Sequence, residues 1–299
     1  MVDSSHFHDA SLLARRATYA SVSVAGILIL AKLFAWLWTD SLSLQATLVD
    51  SLLDAAASLL NLVAVRQAYR PPDKEHRFGH GKIEAVAALG QSLFISGSSA
   101  WLMLEASHRF LHPQRVESTG VGIIVMIFAI LLTLLLITYQ SYVIRKTRSP
   151  AILADSIHYR SDVLINGSVI IALMAGEWLN TTYLDPLFGL GISLYILWTA
   201  WNISKDSFHI LIDRELPDES REKIFKIALG HPKILGCHDL KTRSSGRHSF
   251  IQLHIEMDGD LSLREAHMIS EQVIEALEKE FPQSEVILHE DPKTEGKTL

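Results

Sequence analysis

Apolar positions in the first two thirds of the chain fall in runs too long for the core of a small soluble domain. Six runs, at residues 17–38, 43–65, 85–110, 121–143, 152–179 and 183–203, reach the ~20 residues that a helix needs to cross a bilayer. The second and fifth are diluted by acidic residues, so an even count requires both. Loop charge supports it. Arg15 and Arg16 precede the first run, Arg66, Arg70, Lys74, Arg77 and Lys82 follow the second, and Arg145, Lys146 and Arg148 follow the fourth. The connection after the first run has only Asp40, and the one after the fifth has Glu177 and Asp185 without Lys or Arg. Arg109 and Arg115, after the third, are a minor exception. Lys and Arg accumulate on the cytoplasmic side. Six spans with both termini in the cytoplasm are therefore predicted.

After Asp213 the periodicity changes. Residues 219–229 read as a helix and 234–242 and 249–257 as strands, with Ile251, Leu253 and Ile255 alternating against Gln252, His254 and Glu256. Residues 262–281 form a longer helix with Ala266, Ile269, Val273, Ala276 and Leu277 on its apolar side, and 285–289 a last short strand. Helix, strand, strand, helix, strand predicts an α+β layer of ferredoxin-like type. So small a core makes dimerisation an expectation. The chain divides into an N-terminal tail (1–16), an all-α six-helix transmembrane domain in the lipid bilayer (17–206) and a small cytoplasmic domain (207–299).

Composition agrees: 48% of residues are hydrophobic and 20% charged, with a mean hydropathy of +0.22. Residues 1–205 hold 15 Lys+Arg and 14 Asp+Glu, whereas residues 206–299 hold 12 and 19. No basic face for nucleic acid is evident. A single cysteine, Cys237, excludes an internal disulfide and a multi-thiolate metal site, which leaves His, Asp and Glu as ligands. No cleavable signal peptide is apparent before the first runs.

The most informative polar residues lie inside the apolar runs. The second reads Leu48-Val49-Asp50-Ser51-Leu52-Leu53-Asp54 and the fifth Asp155-Ser156-Ile157-His158-Tyr159-Arg160-Ser161-Asp162. Asp50/Asp54 and His158/Asp162 are each spaced i,i+4, which puts both members on one helix face a turn apart. A carboxylate at mid-bilayer costs at least ~2.5–3.5 kcal/mol. Three carboxylates and one imidazole supply the four ligands of a tetrahedral Zn²⁺ site, and the oxygen-rich set also suits Fe²⁺, Mn²⁺ or Cd²⁺. The plain alternative is inter-helix glue or the lining of an aqueous pore. Asp155, a turn before His158, reads as an outer-shell or pathway group.

Two further clusters are weaker. Asp73, His76 and His80 lie in a turn-prone loop with Pro71, Pro72, Gly79 and Gly81, and could chelate one dication or belong to a solvated loop. The tail holds seven histidines. His254 falls on the polar register of its strand, and His289 and Asp291, two apart, share a face; exposed surface histidines are the alternative. The six tryptophans mostly fall near span ends as an interfacial belt.

These residues, with the loop Asp73-Lys74-Glu75-His76-Arg77-Phe78-Gly79-His80-Gly81-Lys82 and the tail Leu288-His289-Glu290-Asp291-Pro292, resemble the cation diffusion facilitator family over nearly the whole chain. The resemblance implies a homodimeric inner-membrane antiporter that moves Zn²⁺, Fe²⁺ or Cd²⁺ out of the cytoplasm against incoming H⁺. It implies a transport site of Asp50, Asp54, His158 and Asp162, and a loop site of Asp73, His76 and His80. It also implies a regulatory two-metal Zn²⁺ site in the tail from His238, His254, His267, His289 and Asp291, with Asp291 bridging. Lys82 and Asp213 match a family charge pair linking the domains. Glu290 stands where relatives carry Gln and could ligate directly. Asp50, where other members carry His, goes with broad selectivity.

Ligands must lose protons to hold a metal. An imidazole ordinarily titrates near ~6.5, so His158 is the natural proton switch of an alternating-access cycle, with an Asp able to share the role. Three rivals remain: a passive divalent-cation channel, an intramembrane metalloenzyme and a metal-sensing receptor. The enzyme reading lacks a His-Glu-x-x-His motif and an evident general base, so a transporter rather than an enzyme is expected.

Overall fold

The computed structural model describes residues 4–39, 42–112, 120–179, 183–246 and 248–293. Asp40 and Arg115, used above for loop charge, fall outside them. The described chain separates into two units, divided between residues 208 and 209.

The first unit is made of long helices: α1 (Ser4–Thr39), α2 (Leu42–Ala68), α3 (Lys82–Leu111), α4 (Gly120–Thr147), α5 (Pro150–Leu179) and α6 (Leu184–Leu211). Residues 4–16, expected as a tail, are the first turns of α1. Among the described residues, five helices, α1, α2, α3, α4 and α6, are long and apolar enough to cross a membrane. The sixth, α5, has 30 residues and carries Asp155, Arg160 and Asp162. It packs against α2, α3 and α4, and Asp155, Ser156, His158 and Tyr159 on it are buried. Its polarity is therefore turned largely inward.

Asp155 is the centre of a buried polar knot. Ser21 Oγ of α1 and Gln140 Nε2 of α4 each donate to its Oδ2 at 2.7 Å, and Gln91 Nε2 of α3 donates to Oδ1 at 3.3 Å. Tyr159, one turn on, donates to the Ser21 carbonyl (3.3 Å) and meets Ser58 Oγ of α2 (2.9 Å). Five helices are thus tied through α5. A buried donor left without an acceptor costs about 1–3 kcal/mol. Asp155→Ala, which removes the acceptor shared by three donors, is expected to destabilise the unit by on the order of 3 kcal/mol. Thermal unfolding of the detergent-solubilised protein checks this, and an unchanged midpoint would refute it.

The second unit contains α7 (Asp218–Leu229), β1 (Gly236–Ser245), β2 (His248–Met257), α8 (Leu263–Glu280) and β3 (Ser284–Pro292). The sheet order is β1-β2-β3, antiparallel between β1 and β2 and parallel between β2 and β3. The parallel pair needs a crossover, which α8 supplies. Ser262 and Glu265 form a capping box that starts α8. Ile251, Leu253, Ile255 and Met257 of β2 join Ile224 and Ala228 of α7 and Ile269, Val273 and Leu277 of α8 in one core. The opposite sheet face keeps the polar residues. This is an α+β layer with three strands, where a complete ferredoxin-like sheet has four.

Candidate metal sites

In the membrane unit, α2 brings Asp54 and α5 brings His158 and Asp162 so that one ligand atom from each lies within 4.8 Å of the others. His158 Nε2 is 2.9 Å from Asp54 Oδ1. The imidazole is buried, with the Phe94 ring edge-on to it at 6.4 Å. Asp50 is outside this group and exposed. Carboxylates a turn apart repel each other, and Asp54 is the one engaged by His158. The expected four-ligand set is therefore a group of three with Asp50 one turn away.

Sequence reading passed over Lys32. Its Nζ donates to Ser51 Oγ at 2.6 Å and to the Thr47 carbonyl at 3.0 Å, on the stretch of α2 that carries Asp50. A lysine within the first apolar run was the available signal.

The loop residues Asp73, His76 and His80 converge, again within 4.8 Å. Asp73 Oδ1 accepts the backbone N–H groups of His76 (2.7 Å) and Glu75 (2.9 Å), while Oδ2 lies 3.3 Å from Nε2 of buried His80. The His76 N–H holds the Asp73 carboxyl below the usual range. Gly79, at φ +79°, turns the chain so that His80 comes back onto Asp73.

In the soluble unit the sheet register builds the site. His238 pairs with His254, and His254 with His289, so three histidines stand in a row across three strands on the face away from α8. Asp291 lies beside the row: its Oδ2 is 2.9 Å from His254 Nδ1 and 3.3 Å from His238 Nε2, and its Oδ1 is 3.3 Å from His289 Nε2. Two acidic groups missed in the sequence join them. A register shift after His238 puts Asp239, at φ +47°, with Oδ2 3.6 Å from His254 Nε2. Glu256 Oε1 is 3.5 Å from His238 Nδ1, and a Cβ on the paired Gly236 would lie 2.5 Å from the Glu256 carboxylate.

Two residues expected at the tail site lie apart from the row. His267 is exposed on α8, on the other side of the sheet, and joins no such group among the described residues. Glu290 points toward α8, where its Oε1 accepts from Ser270 Oγ at 2.6 Å, because strand alternation puts it opposite His289 and Asp291. Lys82 opens α3 in the first unit. Asp213 follows α6 in the second, with its Oδ2 3.7 Å from an Arg243 guanidinium nitrogen.

Residues 18–212 match the cation efflux transmembrane domain, and residues 216–293 match the cytoplasmic domain of cation efflux proteins. The chain belongs to the cation efflux family. Cation efflux relatives are similar along nearly their whole length. The cation-efflux pump FieF of Klebsiella pneumoniae is 47% identical over 94% of both chains. That of Serratia proteamaculans is 48% identical over 94% of this chain and 93% of its own. A solved structure of CzrB in a zinc form is 34% identical, covering 29% of this chain and 99% of that one at a TM-score of 0.27. As a cation efflux protein, the chain is a membrane transporter and not an enzyme.

Proposed function

We propose that the protein exports divalent metal cations, namely Zn²⁺, Fe²⁺ and Cd²⁺, from the cytoplasm across the inner membrane in exchange for H⁺. The observation that carries this reading is the convergence of Asp54, His158 and Asp162 between two helices of the membrane unit. One buried and two half-buried metal-competent side chains within the membrane unit fit an ion pathway. Asp50, a turn from Asp54, completes a four-ligand set when a dication draws the carboxylates together. In this reading α5 is the sixth span, both termini are cytoplasmic, residues 17–206 carry transport and residues 207–299 regulate it. Cation-efflux pumps 47% identical to this chain support export as the direction.

The cycle follows from proton competition. With its ligands deprotonated, the inward-facing site takes up metal. The bundle then rocks outward, and protons from the far side displace the metal from His158 and an aspartate. The loop group collects metal at the cytoplasmic entrance. Metal on the tail draws the two tails of a homodimer together and biases the bundle through Lys82 and Asp213.

Proteoliposomes with an imposed pH gradient provide the test. Wild-type protein is expected to move Zn²⁺ with opposite H⁺ flux, and His158→Ala to lose that counter-flux. Metal flux indifferent to the gradient would indicate a channel. Full H⁺ counter-transport in His158→Ala would refute the role given to the imidazole.

A further inference from the structure

The proposed transport site contains three carboxylates and an imidazole, and a lysine lies beside it. Lys32 stands in α1, partly buried, and its ammonium is anchored to Ser51 Oγ (2.6 Å) and the Thr47 carbonyl (3.0 Å). Thr47 precedes Asp50 by three residues. Ser51 follows Asp50 and precedes Asp54 by three. The ammonium therefore rests on the acid-bearing turns of α2, within electrostatic reach of Asp54, Asp162 and Asp50. A lysine inside an apolar span costs ~2.5–3.5 kcal/mol unless its charge is compensated. Its two neutral acceptors leave that charge to be balanced by the acids.

We propose that Lys32 is a tethered counter-cation of the transport site, balancing Asp50, Asp54 and Asp162 and setting how tightly a cation is held there. This deepens the transport reading and rests on it. An arriving ion enters a cluster whose negative charge is already reduced by one unit. Repulsion from the ammonium weakens the hold on the dication, which aids release on the far side. A purely structural Lys32, clipping α1 to α2, would predict no such effect.

The two roles differ in the sign of the affinity change. Zn²⁺ uptake into proteoliposomes at fixed pH and ionic strength is measured for wild type, K32M, K32Q and K32R. Loss of the charge is expected to lower the apparent KM about tenfold in K32M and K32Q, with reduced turnover, and K32R is expected to stay within about twofold of wild type. K32Q retains donors for Ser51 and Thr47, so it reads the charge alone even if K32M fails to fold. Adding Asp50→Asn to K32Q is expected to bring the KM back up. An unchanged or raised KM in K32Q, or a K32R that behaves like K32Q, overturns the proposal. Asp54→Ala run alongside keeps the two readings apart: if it transports normally, the site itself is wrongly placed, whatever Lys32 does.

Discussion

Asp54→Ala should abolish metal transport while leaving the protein folded. Asp54 supplies one ligand and also holds the imidazole of a second, since its Oδ1 is 2.9 Å from His158 Nε2. Truncation removes the oxygen and frees the ring to rotate, so two of the three converging groups are lost together. Loss of an orienting partner alone costs about 10–100-fold in metal affinity, and a ligand lost with it brings the expected fall in kcat/KM to at least ~100-fold. Folding should survive because Asp54 is outside the Asp155 knot that ties the helices. Zn²⁺ flux in proteoliposomes, with thermal unfolding as the control, decides it. A folded Asp54→Ala protein that still transports at a tenth of the wild-type rate or better would place the ion elsewhere.

Asp291→Ala should empty the tail site. One carboxylate reaches all three histidines of the row, at 2.9 Å (His254) and at 3.3 Å (His238 and His289). Without it the row loses the one carboxylate shared by all three rings and the orientation it gives them, and an affinity loss of about 100-fold or more is expected. Metal bound per full-length protein, measured by equilibrium dialysis against wild type, tests it; equal binding would refute it. The pH dependence has a definite sign. The His254 hydrogen bond, with the nearby His289 and His238, holds the Asp291 carboxyl below its ordinary range. A depressed folded value makes its contribution present above the unfolded carboxylate range and lost only as pH falls through the lower folded value. Metal release that begins above the carboxylate range must therefore come from protonation of the histidines. If release from wild type began only at or below that range, the histidines would not be ligands.

Legibility in the sequence followed the locality of each contact. Asp54, His158 and Asp162 were readable because i,i+4 spacing fixes a face once the helix is assumed, and Asp73, His76 and His80 because one turn of loop contains them. The helical run of α5 was readable only through loop charge, since its inward polarity erodes the apolar signal. The row of His238, His254 and His289 depends on strand pairings between distant segments, which local periodicity does not specify. Asp239 depends on a register irregularity and Glu256 on the space left by Gly236, so neither announced itself. Glu290 was open to a misreading that strand alternation removes: it shares a face with Val286 and Leu288, not with His289. Lys32 was visible as a residue but not as a neighbour, because its partners lie on another helix.

The cross-strand row makes the tail a check on its own folding. Side chains alternate with a period of two, so a slip of one residue between β2 and its neighbours would send His238 or His289 to the α8 side and take His254 away from Asp291. A metal held by all four residues would then require a sheet already in correct register and would penalise every slipped pairing. Such an ion would act as a proofreader of strand alignment, gained at the moment the last strand, β3, docks.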